Sequence, residues 1–133
     1  MPALRPRILV TEADPDTCEI ITIILSQEGF EVICAEGPDK ALELARTGTF
    51  DLFLVDNWMP GWSGPELTEK IRQFDRKTPV LFYSGAAYEQ DKEDARRSGA
   101  QGYLVKPADC DELITEVKRI IAESKLALLP QAA

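Results

Sequence analysis

The chain has 133 residues, 44% hydrophobic and 29% charged, with a formal net charge of −8. That size supports one domain with a real core and leaves no room for a second. The negative balance argues against direct nucleic-acid binding, which needs a basic face. Histidine is absent, which removes Ser-His-Asp and Cys-His catalysis, the common zinc sites and any role as a phosphohistidine donor.

No apolar run approaches the roughly 20 residues of a membrane span. The opening Met1-Pro2-Ala3-Leu4-Arg5-Pro6-Arg7 runs into a strand and has no signal-peptide pattern. The expected compartment is the cytoplasm, with no membrane partner. Cys18, Cys34 and Cys110 lack metal-ligand spacing and form no CxxC pair. They read as free thiols, mostly buried.

Short β-type runs alternate with helical patterns along the chain. Arg7 to Thr11 is apolar and β-branched, a buried strand. Asp14-Pro15 opens a helix, with Asp14 as N-cap and Pro15 in the first helical position. Cys18, Ile21 and Leu25, with Ile20 and Ile24 beside them, form its apolar face, and Gly29 ends it. Phe30 to Cys34 is the second expected strand. Gly37-Pro38 starts a helix carrying Ala41, Leu42 and Ala45, which ends near Gly48.

Asp51 to Val55 is apolar on both faces, as a central parallel strand should be. Asn57 to Gly64 is a loop. Ser63-Gly64-Pro65-Glu66 has capping-box spacing and leads into a helix with Leu67, Ile71 and Phe74. Pro79 to Tyr83 is the fourth strand. Tyr88 to Ser98 is helical but very polar, with Ala95 its main apolar residue after Tyr88. Its packed face is thin, so it is expected to be the most mobile helix. Gln101 to Val105 is the fifth strand. Asp109 caps a last helix, with Glu112 in box position and Leu113, Val117 and Ile120-Ile121 facing inward. Residues 126–133 read as a frayed tail.

Five βα units with right-handed crossovers predict an α/β fold. It is a doubly wound, five-stranded parallel sheet of flavodoxin type, strand order 2-1-3-4-5, between two helical layers. In such a sheet the carboxyl ends of the strands share one crevice. The strands here run out onto Glu12-Ala13-Asp14, Asp56, Ser84 and Lys106. Asp56 follows Leu52-Phe53-Leu54-Val55, where a carboxylate costs free energy unless something uses or pairs it. As a nucleophile it would form an aspartyl-phosphate. Lys106 would supply a charge for one phosphoryl oxygen and Ser84 a hydroxyl for another. Nearby acids would hold Mg²⁺. Taken singly, these residues have simpler readings: Asp56 as a cap or ion-pair partner, Ser84 as a turn residue, Lys106 as solvated, Asp14 as an N-cap. Taken together at matching strand ends, they point to phosphoryl acceptance.

Over residues 5–125 the chain resembles the receiver domain of two-component response regulators. The resemblance rests on Ile8-Leu9-Val10 followed by acidic residues and Pro15, and on the run Asp56-Asn57-Trp58-Met59-Pro60-Gly61-Trp62-Ser63-Gly64. It rests also on Pro79 through Gly85 and on Gly102-Tyr103-Leu104-Val105-Lys106-Pro107. It implies that Asp56 accepts a phosphoryl group from a sensor histidine kinase or a phosphotransfer protein. Ser84 and Lys106 would bind that group. Lys106-Pro107 would carry a cis peptide. Tyr103 would be the aromatic that swings inward when Ser84 is drawn to the phosphate. Mg²⁺ would be held by Glu12, Asp14, Asp56 and the backbone carbonyl of Trp58. The face of the fourth and fifth helices and the fifth strand would engage a downstream protein, and the first helix, Pro15 to Gln27, would contribute to kinase docking. The resemblance leaves room for a homodimer. Any output module is expected on another chain or in a part removed from this one.

One position departs from the family. Two adjacent acids usually end the first strand, and the second is the direct metal ligand; here it is Ala13. Mg²⁺ binding is therefore expected to be weakened or lost. Two functional readings follow. One is a phosphorylatable receiver with at most weak self-phosphorylating and self-dephosphorylating chemistry. The other is a degenerate receiver, a protein-binding module that works without phosphate. An enzyme of the haloacid-dehalogenase type would need a second acid where Trp58 stands. A flavin binder would need a phosphate loop where Glu12-Ala13-Asp14-Pro15 is acidic.

Overall fold

In the computed structural model, which describes residues 5–129, five strands alternate with five helices. They are β1 (Arg7–Thr11), α1 (Pro15–Gln27), β2 (Glu31–Ala35), α2 (Pro38–Thr47) and β3 (Leu52–Val55). After these come α3 (Gly64–Arg72), β4 (Val80–Ser84), α4 (Glu89–Ser98), β5 (Gly102–Val105) and α5 (Cys110–Ala127). The strands form one sheet in the order β2-β1-β3-β4-β5, and every pairing is parallel. The expected doubly wound architecture is the observed one.

Strand alternation divides the core into two layers. Ile8, Val10, Leu52, Leu54 and Leu81 point to the side covered by α1 and α5, where Ile21, Leu25, Leu113, Val117 and Ile120 pack on them. Leu9, Phe53, Val55, Val80 and Phe82 point to the opposite side, under Ala41, Ala45, Leu67, Ile71 and Ala95. Pro at the start of α1, α2 and α3 suits the first helical turn. Ser63 accepts from the Glu66 N–H at 3.2 Å and Asp109 from the Glu112 N–H at 2.8 Å. Both therefore start their helices as their sequence position suggests.

α4 has the thin packed face that its polar sequence suggests. It buries only Ala95 and Ser98, and Tyr88 is 78% exposed and adds nothing to the packed face. Among the described residues no helix is long and apolar enough to cross a membrane.

Several expectations need correction. β2 is shifted one residue, to Glu31–Ala35, because Phe30 packs as a core residue before the strand. Phe74 lies beyond α3 and is exposed, with the Arg46 guanidinium over its ring; Thr68 takes the buried place. Ile20 is also exposed; α1 buries Cys18, Ile21 and Leu25, with Ile24 packed partly buried beside them. α5 runs through Leu126 and Ala127, where a tail was expected; residues 130–133 of that tail lie outside the described residues. Cys18 and Cys34 are not free thiols but bonded to one another, and Cys110 is exposed rather than buried. The pairing of β1 with β2 sets Cys34 beside Val10 and under α1, a proximity that spacing alone does not reveal.

Arg72, at the end of α3, was not singled out by its sequence. Its guanidinium donates to the carbonyls of Thr78 at 2.7 Å, Asp75 at 3.0 Å and Gly99 at 2.8 Å. It thereby ties the ends of α3 and α4 to the start of β4. Desolvation lowers its pKa, opposed by the nearby charge of Asp75. Arg72→Ala is expected to destabilise the fold by about 2–3 kcal/mol, because it removes charged donors from carbonyls that have lost water. Urea unfolding measures this, and a loss well under 1 kcal/mol would show that water replaces the guanidinium.

Candidate functional site

The backbone ladder of the sheet continues one residue past the strands and thereby builds the site. Thr11 is in register with Ala35 and Val55, and Ser84 with Val105. Beyond them the Glu12 N–H donates to the Ala35 carbonyl at 3.1 Å, the Asp56 N–H to Thr11 at 3.1 Å, and the Lys106 N–H to Ser84 at 2.9 Å. Residues far apart in sequence therefore meet at one edge, as strand order requires.

Lys106 is the centre of the cluster. Its Nζ lies 2.7 Å from Glu12 Oε2 and 3.5 Å from Asp56 Oδ2. Glu12 and Asp56 are both buried, so each carboxylate is costly without a partner. Desolvation pulls the Lys106 ammonium toward neutrality. The hydrogen bond to Glu12 and the charge of Asp56 outweigh it and raise its pKa above the ordinary lysine value. The ammonium also lies 5.3 Å from the Tyr83 ring centroid. The Lys106-Pro107 bond is cis.

Asp56 Oδ1 accepts from the Trp58 N–H at 3.3 Å. The following loop folds back through the Gly64 N–H, which donates to the Asn57 carbonyl at 3.1 Å. Gly64 has no room for a side chain: a Cβ there would sit 2.6 Å from the Phe82 ring and 2.9 Å from the Asp56 carbonyl oxygen. Trp58 is 64% exposed, with its ring beside Gly85.

Ser84 is fully buried. Its Oγ accepts from the Ala86 N–H at 3.2 Å, and the Ala86 carbonyl accepts from the Tyr103 hydroxyl at 2.6 Å. One peptide segment therefore links Ser84 to Tyr103. The Tyr103 ring stacks on Phe82 with centroids 5.6 Å apart. Burial raises the phenol pKa, with the facing Asn57 and Ser84 side chains acting against it. At neutral pH the hydroxyl remains a protonated donor.

The fit to a divalent cation is poor. Ala13 offers no donor. Asp14 is exposed, and its carboxylate accepts from the Thr17 hydroxyl at 2.6 Å. Glu12 has both oxygens engaged, Oε1 by the Asp14 N–H at 3.2 Å and Oε2 by Lys106. Among the described residues no group of three or more His, Cys, Asp or Glu side chains is placed to hold a metal ion. Of the expected set of Glu12, Asp14, Asp56 and the Trp58 carbonyl, the Glu12 and Asp56 carboxylates flank Lys106, and the Asp14 carboxylate is turned to Thr17. Asp14 stands at the N-cap position of α1 without a side-chain hydrogen bond to the helix backbone.

An open parallel α/β sheet in this strand order, with an acid, a hydroxyl and an ammonium at its strand ends, defines a flavodoxin-type domain. Its family is shown by comparison. The model of the response regulator receiver domain matches residues 8–118, and the chain belongs to that family. It is 32% identical over 120 residues to the transcriptional regulatory protein DltR of Streptococcus agalactiae, covering 90% of this chain and 54% of that protein. The chain spans about half the length of the curated relatives it matches. A CheY-like receiver domain protein from Methanospirillum hungatei superposes with a TM-score of 0.90 at 26% identity, covering 93% of this chain and 99% of that one. The response regulator TrrA of Thermotoga maritima, solved in complex with Mg²⁺-BeF, has a TM-score of 0.79 at 33% identity and covers 86% and 98%.

Gly64→Ala is the local test of this geometry. The added methyl group must displace Phe82 or the Asp56 backbone, so a loss of roughly 1–3 kcal/mol is expected from overpacking. Chemical unfolding measures it; an unchanged midpoint would mean that the loop relaxes freely.

Proposed function

We propose that this chain is a phosphoacceptor receiver domain in two-component signalling, with Asp56 as the acceptor. The observation that carries the reading is the Glu12–Lys106–Asp56 cluster, with buried Ser84 on the neighbouring strand end. Asp56 attacks the phosphorus of a phosphohistidine on a sensor kinase or phosphotransfer protein. An O–P bond forms, the P–N bond breaks, and the imidazole leaves. The Trp58 N–H orients the carboxylate. An ammonium has three donors, so Lys106 can meet a phosphoryl oxygen while still paired to a carboxylate. The Ser84 hydroxyl donates to another oxygen.

The switch runs from Ser84 through Ala86 to Tyr103. Drawing Ser84 toward the phosphoryl group moves the peptide that also accepts the Tyr103 hydroxyl bond. α4 holds the sheet through two buried residues, so it shifts at low cost. The resulting surface of α4, β5 and α5 carries the signal to a downstream protein or domain. Phosphorylation selects one of two existing arrangements. α1, whose Ile20 and Ile23 are exposed, borders a groove with Lys106 and Pro107 that suits kinase docking. The cytoplasm is the proposed compartment.

In this reading Mg²⁺ is held weakly, because Ala13 supplies no ligand and Lys106 already pairs with both buried acids. The same observation favours a second reading, a degenerate receiver that binds partners without phosphate. Intact-protein mass after incubation with acetyl phosphate, with and without Mg²⁺, separates the two. A phosphate adduct that is absent in Asp56→Asn is the expected result. No adduct on folded protein, from acetyl phosphate or from a phosphohistidine donor, would leave the binding module.

Ala13→Asp addresses the metal directly. It is expected to raise Mg²⁺ affinity by roughly tenfold or more, since affinity follows the number of charged ligands. Intrinsic fluorescence of Trp58 and Trp62 reports the titration. An unchanged affinity would show that residue 13 is not at the metal position.

A further inference from the structure

α1 and β2 are joined by a sulfur pair that the phosphoacceptor site does not use. Cys18 is the fourth residue of α1 and is buried, while Cys34 lies in β2 and is only half-buried. Their Cα atoms are 6.3 Å apart and their sulfurs are bonded, across a sequence separation of 16. β2 is at the edge of the sheet, so Cys34 lies at the margin of the layer that α1 covers. The Thr22 hydroxyl, one turn beyond Cys18, lies 3.4 Å from Cys34 Sγ and donates to the Cys18 carbonyl at 2.7 Å. The pair therefore sits at a polar, reachable margin of the core.

The fold does not depend on this bond alone. Ile21 and Leu25 also anchor α1 in the core. Both redox states are thus compatible with a folded domain, and what the bond changes is how freely α1 lifts from β2. α1 begins directly after the Glu12-Ala13-Asp14 turn, and Asp14 is its N-cap. A constraint at Cys18 is therefore about one helical turn from the residues that place Glu12.

We propose that Cys18 and Cys34 are a thiol–disulfide exchange site whose redox state sets how firmly α1 is held against β2. The oxidant is a low-molecular-weight disulfide such as oxidised glutathione. The Cys34 thiolate, the more accessible one, attacks that disulfide and releases one thiolate. The Cys18 thiolate then attacks the Cys34 sulfur of the mixed disulfide and releases the second. The two protons lost by the cysteines go to the two leaving thiolates, so two protein thiols and one small disulfide give one protein disulfide and two small thiols. Reduction by dithiothreitol reverses the sequence.

The test uses the full chain with Cys110→Ser, which removes the exposed third thiol. The protein is equilibrated with oxidised glutathione or with dithiothreitol, alkylated under native and denaturing conditions, and weighed intact. No alkyl groups on the oxidised form and two on the reduced form, after denaturation, are expected. Hydrogen exchange of the α1 amides is expected to be slower in the oxidised form by about tenfold or more, a fraction of what closing a loop of this length can supply. Adding Cys34→Ser should abolish that difference. Two alkyl groups after oxidation would overturn the exchange site. A formed bond with identical α1 exchange in both states would overturn the mechanical role. The comparison of redox states in the Cys110→Ser protein stands even if adding Cys34→Ser prevents folding.

Discussion

Glu12 and Asp56 each carry a carboxylate out of a buried strand end, and the Lys106 ammonium lies between them, 94 residues from Glu12 in sequence. Neither acid is affordable there alone, because a buried unpaired carboxylate costs several kcal/mol. The ammonium is under the same constraint. Each charge is therefore tolerable only if the sheet closes in the order that brings β1, β3 and β5 to one edge. Fold and site are coupled through this triad. Loss of the strand order would strand the charges, and loss of the charges would remove the reason for polar residues at that edge.

In the proposed phosphoacceptor role, the triad suits this edge to an anion-accepting step with few metal ligands. A receiver site must offset the charge of an incoming phosphoryl group. Lys106 is placed to do so on the Asp56 side, while its contact with Glu12 keeps it ionised. Ala13 removes one negative charge from the same corner, so one cation balances more of the cluster here than it would with two adjacent acids.

In the proposed switch, transmission away from the triad depends on small, specific contacts. Ala86 contributes no side-chain chemistry, yet its peptide N–H and carbonyl bond Ser84 on one side and Tyr103 on the other. Gly64 matters through the atoms it lacks, since only a bare backbone clears Phe82 and Asp56. α4 contributes through the thinness of its packing. Arg72 holds the far end of that helix at Gly99, while its beginning lies next to Ala86 and Tyr88. The structure thus combines a fixed acid cluster with one lightly held helix.

Local chemistry made much of this legible. Asp14-Pro15, Gly37-Pro38, Ser63-Gly64-Pro65 and Asp109 mark helix starts because their backbone and cap preferences act within a few residues. The continuous apolar run Leu52 to Val55 marks a central strand because both its faces are buried. Asp56, Ser84 and Lys106 could be grouped because each follows such a strand. Non-local contacts behaved differently. Asp14 was a candidate ligand by sequence position, but Thr17 and the helix start turn its carboxylate outward. The Cys18–Cys34 bond and the Arg72 cluster depend on which elements lie side by side, and neither leaves a periodic trace. By itself, then, the sequence determined the element order, the parallel sheet and the identity of the strand-end residues, since periodicity and capping are short-range effects. Only the tertiary structure decided which charges pair, that Lys106 rather than a carboxylate cage holds Glu12, and which thiols meet. Those outcomes follow from strand register and helix packing, which no single segment encodes.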